Sequence, residues 1–130
     1  MSATRPIALL VTHGGLGQEL IRTVETILGS QTGVIAVSNT GHSSEALTEA
    51  IDREILAFPD GTPVVILADL AAGSCGMASR RAGAHARTVR RITGVNLPML
   101  LEFFHYRDTL PLDELIPRLE LKGKAGIVTF

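Results

Sequence analysis

The stretch Ile7-Ala8-Leu9-Leu10-Val11-Thr12-His13-Gly14-Gly15-Leu16 contains a strand, a turn and the first residue of a helix. Residues 7 to 11 are an unbroken apolar run, the pattern of a strand buried on both faces. Thr12 to Gly15 end the run. From there Leu16, Leu20, Ile21, Val24, Ile27 and Leu28 recur at helical spacing, with Gly29 placed to stop the helix. The same alternation continues down the chain. Val34 to Val37 and Val64 to Ala68 read as further buried strands, and Val89 to Val95 as a fourth whose apolar run Arg90 and Arg91 interrupt. Between them, Ala46, Leu47, Ala50, Ile51, Ile55 and Leu56 form a helical face after the capping candidates Ser43 and Ser44. Ser74 to Ala86 reads as a third helix, Leu97 to Tyr106 as a fourth with Asn96 as cap and Pro98 in its first turn, and Leu112 to Leu121 as a fifth. Strands alternating with helices make βαβ units, so the class is α/β with a parallel sheet.

Composition narrows the functions. With 130 residues, 45% of them hydrophobic, and no visible linker or repeat, residues 1–130 are expected to form one domain. Lys and Arg total 12 against 13 Asp and Glu, which leaves no global field to attract nucleic acid or an anionic membrane. Trp is absent and there is one Tyr, so bases would find little to stack on. The single cysteine, Cys75, cannot form an internal disulfide, and no apolar stretch reads as a signal peptide or a spanning helix. The expected location is the cytoplasm.

In an open parallel sheet, ligands bind beyond the carboxyl ends of the strands, where the strand order reverses. The first strand delivers His13 and Gly14 at a helix entrance, where free N–H groups favour an anion. The third delivers Asp69, followed by Gly73 and Ser74 at another. In a 2-1-3-4 order these two strands are neighbours, and His13 and Asp69 face each other. A carboxylate on one imidazole nitrogen fixes the tautomer and leaves the other nitrogen as nucleophile. Phosphoryl transfer needs little more than that positioning and charge stabilisation. Each residue also has a plainer role open to it: a turn histidine, a helix-capping acid, a capping serine.

Thr12-His13-Gly14, Glu19-Leu20 with Glu25-Thr26-Ile27-Leu28-Gly29, Asp69 with Gly73-Ser74, and Gly94-Val95-Asn96-Leu97-Pro98-Met99-Leu100 together resemble the mannose-family enzyme IIA of the bacterial phosphoenolpyruvate-dependent phosphotransferase system. The resemblance covers nearly the whole chain, and the segment around Asn96 and Pro98 is its most specific part. It implies a phosphocarrier in which His13 accepts a phosphoryl group from the phosphocarrier HPr and passes it to an enzyme IIB of a sugar transporter. Asp69 would orient the imidazole, and Gly14, Gly73 and Ser74 would bind the phosphoryl group. It implies no metal and no organic cofactor. It also implies a homodimer in which residues 126 to 130 form an antiparallel edge strand exchanged between subunits, and a membrane contact only through the transporter. The family commonly has an aromatic residue and Gly-Gly-Ser-Pro after the aspartate, where this chain has Leu70-Ala71-Ala72-Gly73-Ser74-Cys75. Because the sequence ends at Phe130, the expected IIB acceptor is a separate protein.

Other readings are open to particular residues. A regulatory relative would use the same His13, its phosphorylation state controlling association with a partner protein. Cys75 and Arg81 have the Cys-x5-Arg spacing of a phosphatase loop, against which stands the helical look of Met77-Ala78-Ser79. Arg80, Arg81, Arg87, Arg90 and Arg91 make a local basic cluster, either a solvated face or a dock for an acidic protein surface. His42, His85 and His105 lack a metal-ligand spacing. Gly14-Gly15-Leu16-Gly17 is only a fragment of a dinucleotide fingerprint, and a receiver domain would want paired acids where Thr12 and His13 stand.

Overall fold

The computed structural model describes residues 5–84 and 88–130. The chain runs β1 (Ile7–Thr12), α1 (Leu16–Leu28), β2 (Val34–Ser38), α2 (Ser44–Leu56), β3 (Val64–Ala68), α3 (Gly73–Arg81), β4 (Val89–Thr93), α4 (Leu97–Tyr106) and α5 (Leu112–Ala125). The four strands are all parallel, in the order β2-β1-β3-β4. The central strands β1 and β3 are buried along their whole length, as continuous apolar runs require when helices cover both faces.

Alternation along β1 sorts the core into two layers. Ile7, Leu9 and Val11 pack with Val64 and Ile66 against Leu47, Ile51 and Ile55 of α2 and Cys75 and Ala78 of α3. Ala8 and Leu10 pack with Val65 and Leu67 against Ile21 and Val24 of α1, Leu100 and Phe103 of α4, and Leu115 and Leu119 of α5. Each fully buried Leu, Ile or Phe contributes about 1.5 to 3 kcal/mol of transfer free energy, so both layers stabilise the sheet strongly. The direction of travel across the sheet reverses after β2, and right-handed crossovers then require α1 on the opposite face from α2 and α3. The two layers have that composition, and the reversal leaves a crevice between the ends of β1 and β3.

The helix ends follow local chemistry. The Ser43 hydroxyl accepts from the Ala46 N–H at 3.1 Å to start α2, and the Asn96 side chain accepts from the Met99 N–H at 3.1 Å to start α4. The Asn96 amide also donates to the Gly123 carbonyl at 2.9 Å, which fastens α5 to the head of α4. This second link is why α5 continues to Ala125 instead of stopping near Leu121. Conversely, α3 stops at Arg81, short of the expected Ala86: Gly83 takes a positive φ of 74°, and its N–H donates to the Asp52 carboxylate at 2.7 Å. His85, Ala86 and Arg87 lie outside the described residues. β4 ends at Thr93 rather than Val95, because Gly94 turns the chain at φ 82°. Leu16, Ile27 and Leu28, assigned by spacing to the inner face of α1, are exposed.

The expected fifth strand is not part of this sheet. Gly126 caps α5, and the residues after it form no strand, with Ile127, Val128 and Phe130 exposed. In this structure the tail pairs with neither edge strand, β2 or β4. Among the described residues, no helix is long and apolar enough to cross a membrane.

Candidate functional site

The pairing of Val11 with Ala68 brings the ends of β1 and β3 level, so that the next residues of each, Thr12-His13 and Asp69, meet at the crevice. Asp69 holds His13 twice. Its Oδ2 accepts from the His13 backbone N–H at 2.9 Å, and lies 2.9 Å from the ring Nδ1, with Oδ1 at 3.2 Å. An ionised carboxylate only accepts, so Nδ1 is the protonated nitrogen and Nε2 keeps its lone pair. The Asp69 side chain is 10% exposed and that of His13 is 42% exposed. The orienting group is thus shielded while the imidazole is open to a partner.

Two helix entrances flank the histidine. Gly14 turns the chain at φ 53°, and Gly15 starts α1 without a side-chain cap. The Gly14 N–H donates to the Asn39 side chain at 3.2 Å, and the Gly17 N–H to the Thr12 hydroxyl at 2.7 Å. On the other side Gly73, at φ 80°, opens α3, again without a side-chain cap, and Ser74 lies half-buried in its first turn. At α1 the Gly14 and Gly17 N–H groups are thus already engaged, whereas the first turn of α3 leaves its N–H groups without a side-chain cap; the helix dipole adds a positive potential at both entrances. The chain between Asp69 and α3 is tightly folded: a Cβ on Gly76 would lie 2.2 Å from the Ala71 carbonyl oxygen. Glycine at position 76 therefore lets this turn close over the head of α3.

His13 and Asp69 are brought together as the strand ends implied, and Gly14, Gly73 and Ser74 occupy the two helix entrances. Three neighbours were not assigned to this site from the sequence. Thr12 is buried and fixes the first turn of α1. Asn39, one residue past β2, braces Gly14, and its position after the strand beside β1 was the available signal. Cys75 is fully buried, and its sulfur, an Asp69 oxygen and a His13 ring nitrogen lie within 4.8 Å of one another. Burial, and then the Asp69 charge, push the Cys75 thiol up from its ordinary value. A thiol kept protonated is a poor nucleophile. Moreover, residues 75 to 81 are continuous helix, which cannot wrap a phosphate as the Cys75/Arg81 reading needs.

The basic cluster is partly structural. Arg90 pairs with Asp113 of α5 at 2.9 Å. Arg91 donates to the Ser79 carbonyl at 2.7 Å and to the Ala82 carbonyl, so it closes the end of α3. Arg80 and Arg81 remain exposed on the outer face of α3.

The family model for the PTS system fructose IIA component matches residues 8–120. The chain belongs to this mannose-type IIA family. The PTS system mannose-specific EIIAB component of Escherichia coli (strain K12) is 32% identical over 124 residues, covering 93% of this chain and 38% of the relative, and the Shigella flexneri protein of the same description matches equally. The chain thus spans well under half the length of these curated relatives. Among solved structures, the phosphotransferase system component EIIA from Streptococcus agalactiae is similar, with a TM-score of 0.86 and 26% identity over 96% of this chain and 97% of that one. A sugar phosphotransferase system permease from Klebsiella pneumoniae shares the fold, with a TM-score of 0.87 at 20% identity over 99% and 93% of the two chains. As a component of the phosphotransferase system, this IIA chain carries the His13–Asp69 pair inside the matched region.

Proposed function

We propose that this IIA component is a phosphocarrier whose His13 takes a phosphoryl group from HPr and gives it to an enzyme IIB serving sugar transport. The observation that supports the reading best is the Asp69 carboxylate on Nδ1, which leaves Nε2 of an exposed imidazole as the available nucleophile. The Nε2 lone pair attacks the phosphorus of the phosphohistidine on HPr. A P–N bond forms to His13 as the bond to the donor imidazole breaks, and the donor nitrogen keeps the electron pair. His13 gains positive charge as the bond forms, which Asp69 stabilises from the far side of the ring. The N–H groups near Gly14 and Gly73, with the Ser74 hydroxyl, hold the phosphoryl oxygens. In the second transfer a nucleophile of the IIB protein attacks that phosphorus, and the His13 Nε2 keeps the electron pair as its P–N bond breaks.

The same reading includes a homodimer in the cytoplasm, with residues 126 to 130 exchanged between subunits. It is tested by incubating the chain with phosphoenolpyruvate, enzyme I and HPr and recording intact mass before and after acid. One acid-labile phosphoryl group is expected on the wild type and none on His13→Ala. A wild type that stays unmodified beside charged HPr would refute it. Charged protein that does not discharge to an enzyme IIB, but binds another protein only in one state, would move the reading to regulation.

A further inference from the structure

We propose that His13, Asp69 and Cys75 form a site for one zinc(II) ion, and that zinc and the phosphoryl group exclude each other at His13. The exclusion rests on the phosphocarrier reading above; the metal site does not.

The donor set is a ring nitrogen, a carboxylate oxygen and a sulfur, one from each residue, all within 4.8 Å of one another. Nitrogen, sulfur and oxygen donors together suit zinc, which takes three protein ligands and leaves a fourth position for water in its open sites. With metal–ligand bonds of about 2.0 to 2.3 Å, the donors around a tetrahedral zinc lie roughly 3.3 to 3.8 Å apart. The His13 Nδ1 and the Asp69 oxygens, 2.9 to 3.2 Å apart, already stand at nearly that spacing; the gap left to close, up to about an ångström or a little more, is toward the Cys75 sulfur, and the half-exposed His13 ring on its turn is free to close it. Cys75 and Asp69 are the fixed wall. Cys75 sits in the first turn of α3, held by the tight turn that Gly76 allows, and Asp69 is anchored by the His13 N–H. His13 is the open side through which an ion enters. On binding, the thiol gives its proton to solvent. The dication then meets one thiolate and one carboxylate, so the charges balance, and the shielded carboxylate acquires a second partner.

Exclusion follows from the two nitrogens of one ring. If zinc binds Nε2, the nucleophile is occupied. If zinc binds Nδ1, the ring carries its proton on Nε2, and that nitrogen has no lone pair to offer phosphorus. Conversely, phosphoryl on Nε2 leaves Nδ1 protonated and bonded to Asp69, so zinc finds neither nitrogen. By linkage each ligand weakens the other equally.

The probes are zinc and cobalt(II) added to the intact, metal-free chain. Cobalt is expected to give a thiolate-to-cobalt charge-transfer band in the wild type that zinc abolishes and that is missing in Cys75→Ser. Zinc affinity, read by competition with a chromophoric chelator, should fall at least about ten-fold in Cys75→Ser and in His13→Ala. Because the wild-type spectrum needs no variant, a misfolded Cys75→Ser cannot hide the answer, and the far-UV spectrum of each variant reports folding. With pre-charged HPr as donor, zinc should block wild-type phosphorylation, excess chelator should restore it, and Cys75→Ser should be phosphorylated at the same zinc concentration. No cobalt–thiolate band, or equal zinc affinity in wild type and Cys75→Ser, overturns the site. Zinc-loaded wild type that accepts phosphate normally overturns the exclusion. If the wild type is not phosphorylated even in chelator, the exclusion fails together with the phosphocarrier reading, and the cobalt spectrum alone decides the metal site.

Discussion

The Asp69 carboxylate makes two contacts with His13, and they do different things. The bond to the backbone N–H fixes where the turn sits; the bond to Nδ1 fixes the tautomer and faces the charge that grows on the ring. Asp69→Asn separates them. An amide oxygen still accepts from either N–H, so the turn survives, but the negative charge that stabilises the phosphorylated imidazole is gone. The initial rate of phosphorylation from HPr is expected to drop on the order of a hundred-fold or more, with little change in the thermal midpoint. An unchanged rate in rapid quench would mean that Asp69 is only a structural acceptor. His13 and Asp69 were legible in the sequence because both follow directly on apolar runs whose register puts their ends together. The place of Cys75 was not, because its distance from His13 depends on how sharply residues 70 to 76 fold back. That depends on a clash, the missing Cβ of Gly76 against Ala71, which no periodicity reveals.

Helix boundaries show the same division between local and tertiary causes. Starts were readable where a side chain caps its own helix, as Ser43 and Asn96 do. Ends were not readable where a distant group sets them: Asp52 receives the Gly83 N–H beyond the end of α3, and Asn96 draws α5 out to Gly123. Asn96 thus has two jobs, a cap on α4 and a tie to α5, and substitutions can divide them. Asn96→Ser keeps a hydroxyl for the Met99 N–H and loses only the tie, so its expected cost is about 1 kcal/mol. Asn96→Ala loses both and should cost about 2 kcal/mol, read as a drop in the urea midpoint at constant slope. Equal costs for the two variants would show that the cap contributes nothing and that the tie alone matters. The segment around Asn96 was the most specific part of the resemblance, and its structural reason is that one side chain orders two helices behind the sheet.

The parallel sheet followed from βαβ logic, its expected order 2-1-3-4 is the one the structure has, and the crevice that order creates holds the site. What the chain could not reveal alone is the fate of its tail, because that depends on a second copy. Phe130 is fully exposed, and Ile127, 81% exposed, borders a cleft of about 420 Å³ whose walls include Ile92, Met99 and Ile116. Leaving such side chains in water forgoes about 25 cal/mol per Å² of apolar surface, so a partner that covers them gains affinity. In the proposed homodimer the exchanged tail supplies both the strand pairing and this burial. Truncation after Gly126 removes them without touching either core layer, since none of the removed residues belongs to one. The truncated chain is expected to sediment as a monomer at concentrations where the full chain is a dimer, and to keep its phosphorylation by HPr. A truncated chain that remains dimeric would place the subunit contact elsewhere. One that unfolds would show that the four-stranded sheet depends on its partner's strand, which would make dimerisation a condition of the fold and not an addition to it.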